Sequence, residues 1–137
     1  MKVALVFYSG TGNTEAMADA IEAQLAGKAD VDRIDDPTSF DSVDGYDALA
    51  LGCPAMGSEE LDESVETMMG AIEGSLSGVK VILFGSYGWG DGEWMRNWQE
   101  RVEAAGAVLA VEPVIAMEAP DDDAVAALQA AADALVG

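Results

Sequence analysis

The chain has 137 residues, with 26 acidic and 6 basic side chains, no histidine and one cysteine, so its net charge is −20. Its length favours a single domain over residues 1–137, and its 50% hydrophobic content can supply a core. The lack of histidine excludes Ser-His and Cys-His catalysis and histidine metal ligands. One cysteine excludes an internal disulfide and a cysteine-ligated metal cluster. The charge argues against nucleic acid and anionic membranes as partners.

Short apolar runs alternate with helical patterns along the chain. The runs predict strands, and apolar residues spaced by three or four predict helices. In chain order, the predicted elements are a strand at 3–7, a helix at 17–25, strands at 29–34 and 48–51, a helix at 61–76, a strand at 79–84, a helix at 95–102, a strand at 108–111 and a helix at 125–135. Gly27 and Gly106 are predicted to follow helix ends, and the acidic run 121–123 to begin the last helix.

This alternation predicts an α/β domain with a parallel sheet and right-handed crossovers. The apolar runs are continuous, as expected for strands that are buried on both faces. Ligands of open parallel sheets bind beyond the carboxyl ends of the strands. The loops that follow the first, third and fourth predicted strands, 9–14, 54–59 and 86–92, are therefore the candidate site.

The first loop can bind an anion through uncharged groups. Two glycines permit a tight turn, and the following helix presents unpaired N–H groups and the positive end of its dipole. No lysine or arginine lies in the loop, so a phosphate would be held by neutral hydrogen bonds. The alternative is an ordinary strand-to-helix turn with a Ser/Thr cap. The candidate residues are Ser9, Gly10, Thr11, Gly12, Asn13 and Thr14.

The second loop combines a soft apolar side chain with a flexible turn. Met56 can pack on a flat ring, and Gly57 can let a peptide flip. Glu59 can accept a hydrogen bond from a ligand N–H, although Ser58 and the acids after it also resemble the start of a helix. Cys53 is predicted to be a buried strand-end residue. The candidate residues are Pro54, Ala55, Met56, Gly57, Ser58 and Glu59.

The third loop places Trp89 between two glycines, so this side chain cannot belong to the apolar face of a helix. It can instead cover one face of a planar ligand. Trp98 has helical spacing with the apolar residues of its helix and is predicted to lie in the core. The sequence does not decide whether Trp94 lies in the core or on the surface. The candidate residues are Ser86, Tyr87, Gly88, Trp89 and Gly90.

The segments 9–15, 52–60 and 83–92 resemble the flavodoxins, in particular the short-chain members, and the resemblance extends over nearly the whole chain. It implies a doubly wound five-stranded parallel sheet in the order 2-1-3-4-5, with FMN as cofactor. It further implies that residues 9–14 bind the FMN phosphate, that Met56 and Trp89 flank the isoalloxazine ring, and that Glu59 contacts its N3 edge. Pro54 departs from relatives with a hydroxyl residue there. The loop at 118–120 is expected to approach the cofactor edge.

The implied function is not enzymatic. It is a shuttle of low-potential electrons between redox enzymes that uses the semiquinone/hydroquinone couple of FMN. The Gly57–Ser58 peptide is expected to flip and offer its carbonyl to N5–H after one-electron reduction. Apolar walls and the nearest acids are expected to keep the second potential low. The acidic surface is expected to dock on basic patches of redox partner proteins, or else only to maintain solubility. We expect a monomer.

Two other classes of protein fit the sequence less well. A phosphorylated receiver domain needs acids after the first strand and an aspartate at the end of the third, where this chain has Ser9, Gly10 and Cys53. An FMN-dependent reductase needs a second substrate pocket, for which a short chain has few residues. The lone cysteine and the absence of an export signal or a spanning segment favour a cytoplasmic location.

Overall fold

The computed structural model describes residues 1–137, and its sheet carries helices on both faces. Its main elements are β1 (Lys2–Phe7), α1 (Asn13–Leu25), β2 (Asp30–Ile34), β3 (Ala48–Gly52), α2 (Glu63–Ile72), β4 (Lys80–Tyr87), α3 (Glu93–Ala104), β5 (Val108–Leu109), β6 (Val114–Met117) and α4 (Asp122–Val136). Short 3-10 helices cover Pro37–Ser39 and Glu73–Ser75. No helix is long and apolar enough to cross a membrane.

All strand pairs in the sheet are parallel, and the strand order is β2-β1-β3-β4-β5. The predicted order 2-1-3-4-5 is therefore confirmed. Every residue of β3 is buried, as are all residues of β1 after Lys2. Such central strands need apolar side chains on both faces, which explains why their sequences are continuous rather than alternating.

The outer strand differs from the prediction of one strand at 108–111. The regular strand β5 ends at Leu109, and the chain returns to the sheet as β6, which pairs with Phe84–Tyr87 of β4. No apolar pattern in the sequence predicted β6. The register shows where the strand is interrupted: Val81 of β4 pairs with Leu109, but Phe84 pairs with Val114, so two extra residues lie between β5 and β6. As a result, β6 forms the outer edge of the sheet at the end where the candidate loops lie.

Two apolar clusters cover the two faces of the sheet. One contains side chains of α1 and α4, and the other contains side chains of α2 and α3. Neighbouring residues of β1 alternate between them: Leu5 belongs to the first cluster and Val6 to the second. Trp98 is buried as predicted. Trp94, which the sequence left open, is buried in the same cluster.

The predicted helix boundaries are confirmed at three places. Gly27 and Gly106 follow the ends of α1 and α3 with φ of 78° and 93°. The carboxylate of Asp121 accepts a hydrogen bond from the Ala124 N–H at 2.8 Å and caps α4. The helix start considered at Ser58 is wrong, because α2 begins at Glu63 and its cap is the carboxylate of Asp62.

Cys53 is fully buried directly after β3, as predicted, and its sulfur accepts a hydrogen bond from the Asp62 N–H at 3.3 Å. Burial raises the pKa of the thiol from 9.0 to about 12. The folded state therefore keeps the thiol protonated at pH values where the unfolded chain loses this proton.

We expect the stability contributed by this thiol to be complete below pH 9 and to fall as the pH rises from about 9 to about 12. The loss at pH 10 should be about 1.4 kcal/mol, because one pKa unit corresponds to that free energy. Urea unfolding between pH 7 and pH 11 would measure the slope. Cys53→Ala should reduce the slope of the free energy of unfolding against pH. The part of the slope that remains is the contribution of Tyr46, whose pKa is raised by its hydrogen bond to Asp32. Equal slopes in both proteins would contradict the prediction.

Candidate functional site

The three candidate loops meet at the carboxyl edge of the sheet, as the topology predicts. Between them lies an open cleft of about 440 Å³, a size within the usual range of small-molecule sites. The residues that line it are Gly10, Thr11, Asn13, Pro54, Ala55, Met56, Ser86, Tyr87, Gly88 and Glu118. All except Glu118 are among the predicted site residues. Glu118 follows β6 and brings the loop at 118–120 to the cleft.

The other predicted site residues are close to these in sequence but do not line the cleft. They are Ser9, Gly12, Thr14, Gly57, Ser58, Glu59, Trp89 and Gly90. Several of them shape the loops through hydrogen bonds or an unusual backbone, as described below. Their direct contacts with a cofactor therefore stay predictions.

The first loop folds around the side chain of Ser9. Its hydroxyl oxygen accepts hydrogen bonds from the N–H groups of Gly12 and Glu15, each at 3.1 Å. Gly12 takes a φ of 93° and is the N-cap of α1, with no side-chain cap. The alternative of a Ser/Thr cap is correct in part: the Ser9 hydroxyl caps the Glu15 N–H in the first turn of α1, although Gly12 holds the N-cap position.

This turn leaves the N–H groups of Thr11, Asn13 and Thr14 without an acceptor in the chain. Thr14 is only 1% exposed, and buried N–H groups are rarely left unpaired in proteins. Together with the positive end of the α1 dipole, these groups form an anion site next to the cleft. The residues present therefore fit a bound phosphate.

Thr14 and Ser86 join the first loop to the third and to the chain after β6. The Ser86 N–H donates to the Thr14 hydroxyl at 3.4 Å, and the Ser86 hydroxyl donates to the Glu118 carbonyl at 2.7 Å. Both side chains are buried. The relative position of these loops is thus fixed by polar contacts that neither local sequence reveals.

The second loop is a tight hairpin. Met56 and Glu60 exchange two backbone hydrogen bonds of 2.9 and 2.8 Å around a loop of residues 57–59. Gly57 and Glu59 both have positive φ, 47° and 56°. The Gly57 carbonyl accepts no hydrogen bond within the chain. Two features therefore lie beside the cleft: a glycine in a left-handed backbone conformation, and a carbonyl group that accepts no hydrogen bond within the chain.

Glu59 holds the second loop against the third. One oxygen of its carboxylate accepts hydrogen bonds from the N–H groups of Gly92 and Glu93, at 3.0 and 2.9 Å, at the start of α3. The other oxygen has no partner in the chain. A Cβ atom at Gly90 would lie 2.6 Å from the carboxylate carbon, so a glycine is needed for this approach. No local sequence pattern predicts this capping role, because it joins residues that are more than 30 positions apart.

We expect Glu59→Ala to lower the free energy of unfolding by about 1 kcal/mol, because α3 loses its cap. Glu59→Gln keeps an oxygen acceptor and should lose less. Glu60→Ala is the matched control, since the Glu60 carboxylate has no hydrogen-bond partner. Urea unfolding measures all three variants, and equal stability of Glu59→Ala and Glu60→Ala would contradict the assigned cap.

The third loop presents Trp89 to solvent. Its side chain is 65% exposed, although a tryptophan usually contributes a large buried area. The chain bends around it at Gly90 and Gly92, whose φ values are 85° and 92°. The ring is therefore available to a planar ligand at the rim of the cleft.

Trp94 lies under the second and third loops. Its indole N–H donates to the Cys53 carbonyl at 3.0 Å, just before the second loop begins. The absence of a side chain at Gly85 makes room for this contact, because a Cβ there would lie 2.1 Å from the Cys53 oxygen and 3.1 Å from the Trp94 ring. No local sequence pattern predicts this contact, because it joins residues that are 41 positions apart.

The carboxyl edge of the sheet is strongly acidic. The basic side chain nearest these loops in sequence, Arg96, pairs with Asp91 at 3.0 Å. The anion site on the first loop, which contains no charged side chain, therefore lies at an edge whose loops carry many more acids than bases. The acids in and directly after the loops at this edge are Glu15, Glu59, Glu60, Asp62, Glu63, Asp91, Glu93, Glu118, Asp121, Asp122 and Asp123.

The fold and the site define a class: doubly wound proteins that bind a phosphate-bearing ring at the carboxyl ends of β1, β3 and β4. The family model described as Flavodoxin matches residues 5–131. The flavodoxin of Megasphaera elsdenii is 50% identical over 123 residues, 88% of this chain and 89% of that protein. The flavodoxin of Clostridium beijerinckii is 46% identical over 122 residues, 86% of this chain and 88% of that protein.

Solved structures agree with this assignment. The solution structure of two-electron reduced Megasphaera elsdenii flavodoxin matches with a TM-score of 0.82 and 46% identity, over 96% of this chain and 98% of that chain. An archaeal flavodoxin at 24% identity matches with a TM-score of 0.82 and shows the fold alone. The chain belongs to the flavodoxin family, whose members are FMN-binding electron carriers, and FMN is its cofactor.

Proposed function

We propose that this chain is a one-electron carrier and not an enzyme, and that it works between the semiquinone and the hydroquinone of FMN for redox partners with basic docking patches. The main supporting observation is the anion site made of unpaired N–H groups beside a cleft of about 440 Å³. When bound, FMN supplies the one-electron chemistry, and the protein sets its energetics.

The first loop would hold the phosphate. The N–H groups of Thr11, Asn13 and Thr14 are free to donate, and the hydroxyl of Ser9 has a proton to donate in addition to the two bonds it accepts. Hydrogen bonds to a charged group contribute about 1.5–3 kcal/mol each, so several can retain a phosphate without a cation.

The second and third loops would hold the ring. Met56 lines the cleft on one side, and the exposed indole of Trp89 can cover the other face. The unpaired oxygen of Glu59 can accept a hydrogen bond from the N3 edge while its other oxygen caps α3. The free Gly57 carbonyl is the group that we assign to N5–H after the first electron.

The acidic edge would make the second electron harder to add. Each carboxylate near the ring repels the negative charge that this electron brings, and apolar walls add a desolvation penalty. The same acids would attract partners with lysine and arginine on their docking face, which gives fast, salt-sensitive complexes.

We expect Glu118→Gln to raise the second reduction potential on the order of 20 mV, because two charges about 10 Å apart in water interact by roughly 0.4 kcal/mol. Asp44→Asn, a residue away from the cleft, is the control and should leave the potential unchanged. Redox titration of the FMN-loaded proteins measures both, and equal potentials in all three proteins would contradict this electrostatic role.

The decisive experiment for the proposed function uses the protein as purified, with FMN added only if it carries no flavin. We expect a yellow protein that releases FMN rather than FAD and accumulates a blue semiquinone during stepwise reduction, with no rapid oxidation of NAD(P)H by the protein alone. A protein that rejects FMN would overturn the proposal, and rapid NAD(P)H oxidation would show a reductase instead.

A further inference from the structure

The outer edge of the sheet is open along β6. This strand pairs only with β4. The Glu118 N–H donates to the Tyr87 carbonyl at 2.8 Å. Because the hydrogen bonds of a parallel strand use alternate residues, the backbone groups of Ile115 and Met117 face away from β4. Unpaired edge groups of this kind are a template for another extended segment.

An apolar groove of about 320 Å³ lies beside this edge, between β6 and the start of α4. Small alanines, such as Ala124, line its α4 side. Ile115 and Met117 on the β6 side are 37% and 61% exposed, so the groove has an uncovered apolar rim next to free backbone groups. Exposed apolar surface that borders polar residues is typical of interaction sites.

The charge around the groove selects its occupant. Asp121 and Asp123 are the only charged residues that line it, and Glu118 directly follows Met117. Five of the six basic side chains are already paired with carboxylates elsewhere, and Lys80 contacts the carbonyl of Gly137. A second copy of this chain would bring another −20 charges, so the groove favours a cationic partner.

The opposite edge of the sheet lacks these features. The strand β2 carries charged residues along its length, and Arg33 forms ion pairs with acids of α1. Charged side chains on an edge strand oppose the addition of another strand. The open edge at β6 also adjoins the cofactor cleft, because Glu118 lines that cleft.

We propose that β6 and the groove beside it bind an extended segment of a redox partner in which apolar residues alternate with lysine or arginine. The segment would pair with the outward backbone groups of Ile115 and Met117 and place apolar side chains in the groove. Its cations would point to the other face of the added strand, and their long flexible stems would reach the carboxylates of Asp123 and Glu118 around its edge. This mode is strand addition at a sheet edge. The proposal rests on the proposed function, since it places the partner beside the cofactor cleft.

The test uses the isotope-labelled, FMN-loaded protein and, as the probe, the acetylated and amidated peptide Lys-Val-Lys-Val-Lys. We expect chemical-shift changes concentrated in β6 and the first turns of α4, and slower hydrogen exchange of the Ile115 and Met117 amides. The peptide Glu-Val-Glu-Val-Glu should not bind. Binding that spreads over the acidic loops, or no binding of the lysine peptide, would overturn the proposal.

Matched variants sharpen this test. Asp123→Asn should weaken binding about threefold, because one exposed charge pair is lost. Asp122→Asn is its control, since Asp122 lies in the same helical turn but does not line the groove. Met117→Gln should weaken binding about fivefold through lost apolar contact. Its control is Val108→Gln, a 53% exposed residue of β5 at the opposite end of the same edge. Equal effects of variant and control would overturn the proposal.

The two proposals can fail separately. Peptide binding transfers no electron, so it is independent of the optical test for the semiquinone. A protein that forms the semiquinone but ignores the lysine peptide retains the carrier function and loses the β6 site. A protein that binds the peptide at β6 but forms no semiquinone retains the site and loses the carrier function.

Discussion

Replacing Gly85 by alanine should destabilise the fold by about 3 kcal/mol or more. An added Cβ would lie 2.1 Å from the Cys53 carbonyl oxygen, and the backbone of two neighbouring central strands has no room to separate. It would also press on the Trp94 ring at 3.1 Å and disturb the hydrogen bond from that indole to Cys53. Overpacking of a core usually costs about 1–3 kcal/mol, and a clash with backbone lies at the upper end.

Gly70→Ala is the matched control for this prediction. Gly70 lies inside α2, where an added Cβ has no neighbour within 4 Å, so alanine should stabilise the helix by about 0.5–1 kcal/mol. Urea unfolding followed by far-ultraviolet and near-ultraviolet circular dichroism compares the two variants. A Gly85→Ala protein within about 1 kcal/mol of the unaltered chain would contradict the packing described here.

The second large effect is expected at Gly57. Gly57→Thr should lower the first reduction potential by roughly 40–90 mV. A β-branched residue at the positive φ of Gly57 costs about 1–2 kcal/mol, and a tenfold change in a one-electron equilibrium corresponds to about 59 mV. The strained conformation is the one in which the Gly57 carbonyl is free. We assign this backbone conformation to the protein with one-electron reduced cofactor.

Two further variants separate backbone strain from bulk at this turn. Gly57→Asn should shift the potentials less, because asparagine tolerates a left-handed backbone, and Ser58→Ala should leave them nearly unchanged. An added Cβ at Gly57 meets no atom within 4 Å, so a steric clash is not the cause of the expected shift. Unchanged potentials in Gly57→Thr would rule out the peptide flip.

Much of the fold could be predicted from the sequence because its signals are local. Continuous apolar runs mark strands that are buried on both faces, as in β1 and β3, and the spacing of apolar residues marks helices. The order of the strands came from the resemblance to a family and is confirmed. The split of the outer strand was missed, since an edge strand of four residues carries only a weak apolar pattern and depends on its pairing with β4.

The candidate site likewise has features that the sequence predicts and features that depend on tertiary contacts. Sequence by itself determined which loops meet, because the carboxyl ends of parallel strands share one edge of the sheet. It also identified Met56, Gly10, Thr11 and Asn13, which line the cleft. Only the tertiary structure decided that Glu59 caps α3 and that Ser86 forms a hydrogen bond with Thr14. It also decided that the absence of a side chain at Gly85 makes room for Trp94. These contacts join residues far apart in the chain. Their geometry depends on the packing of whole elements, which no local pattern encodes.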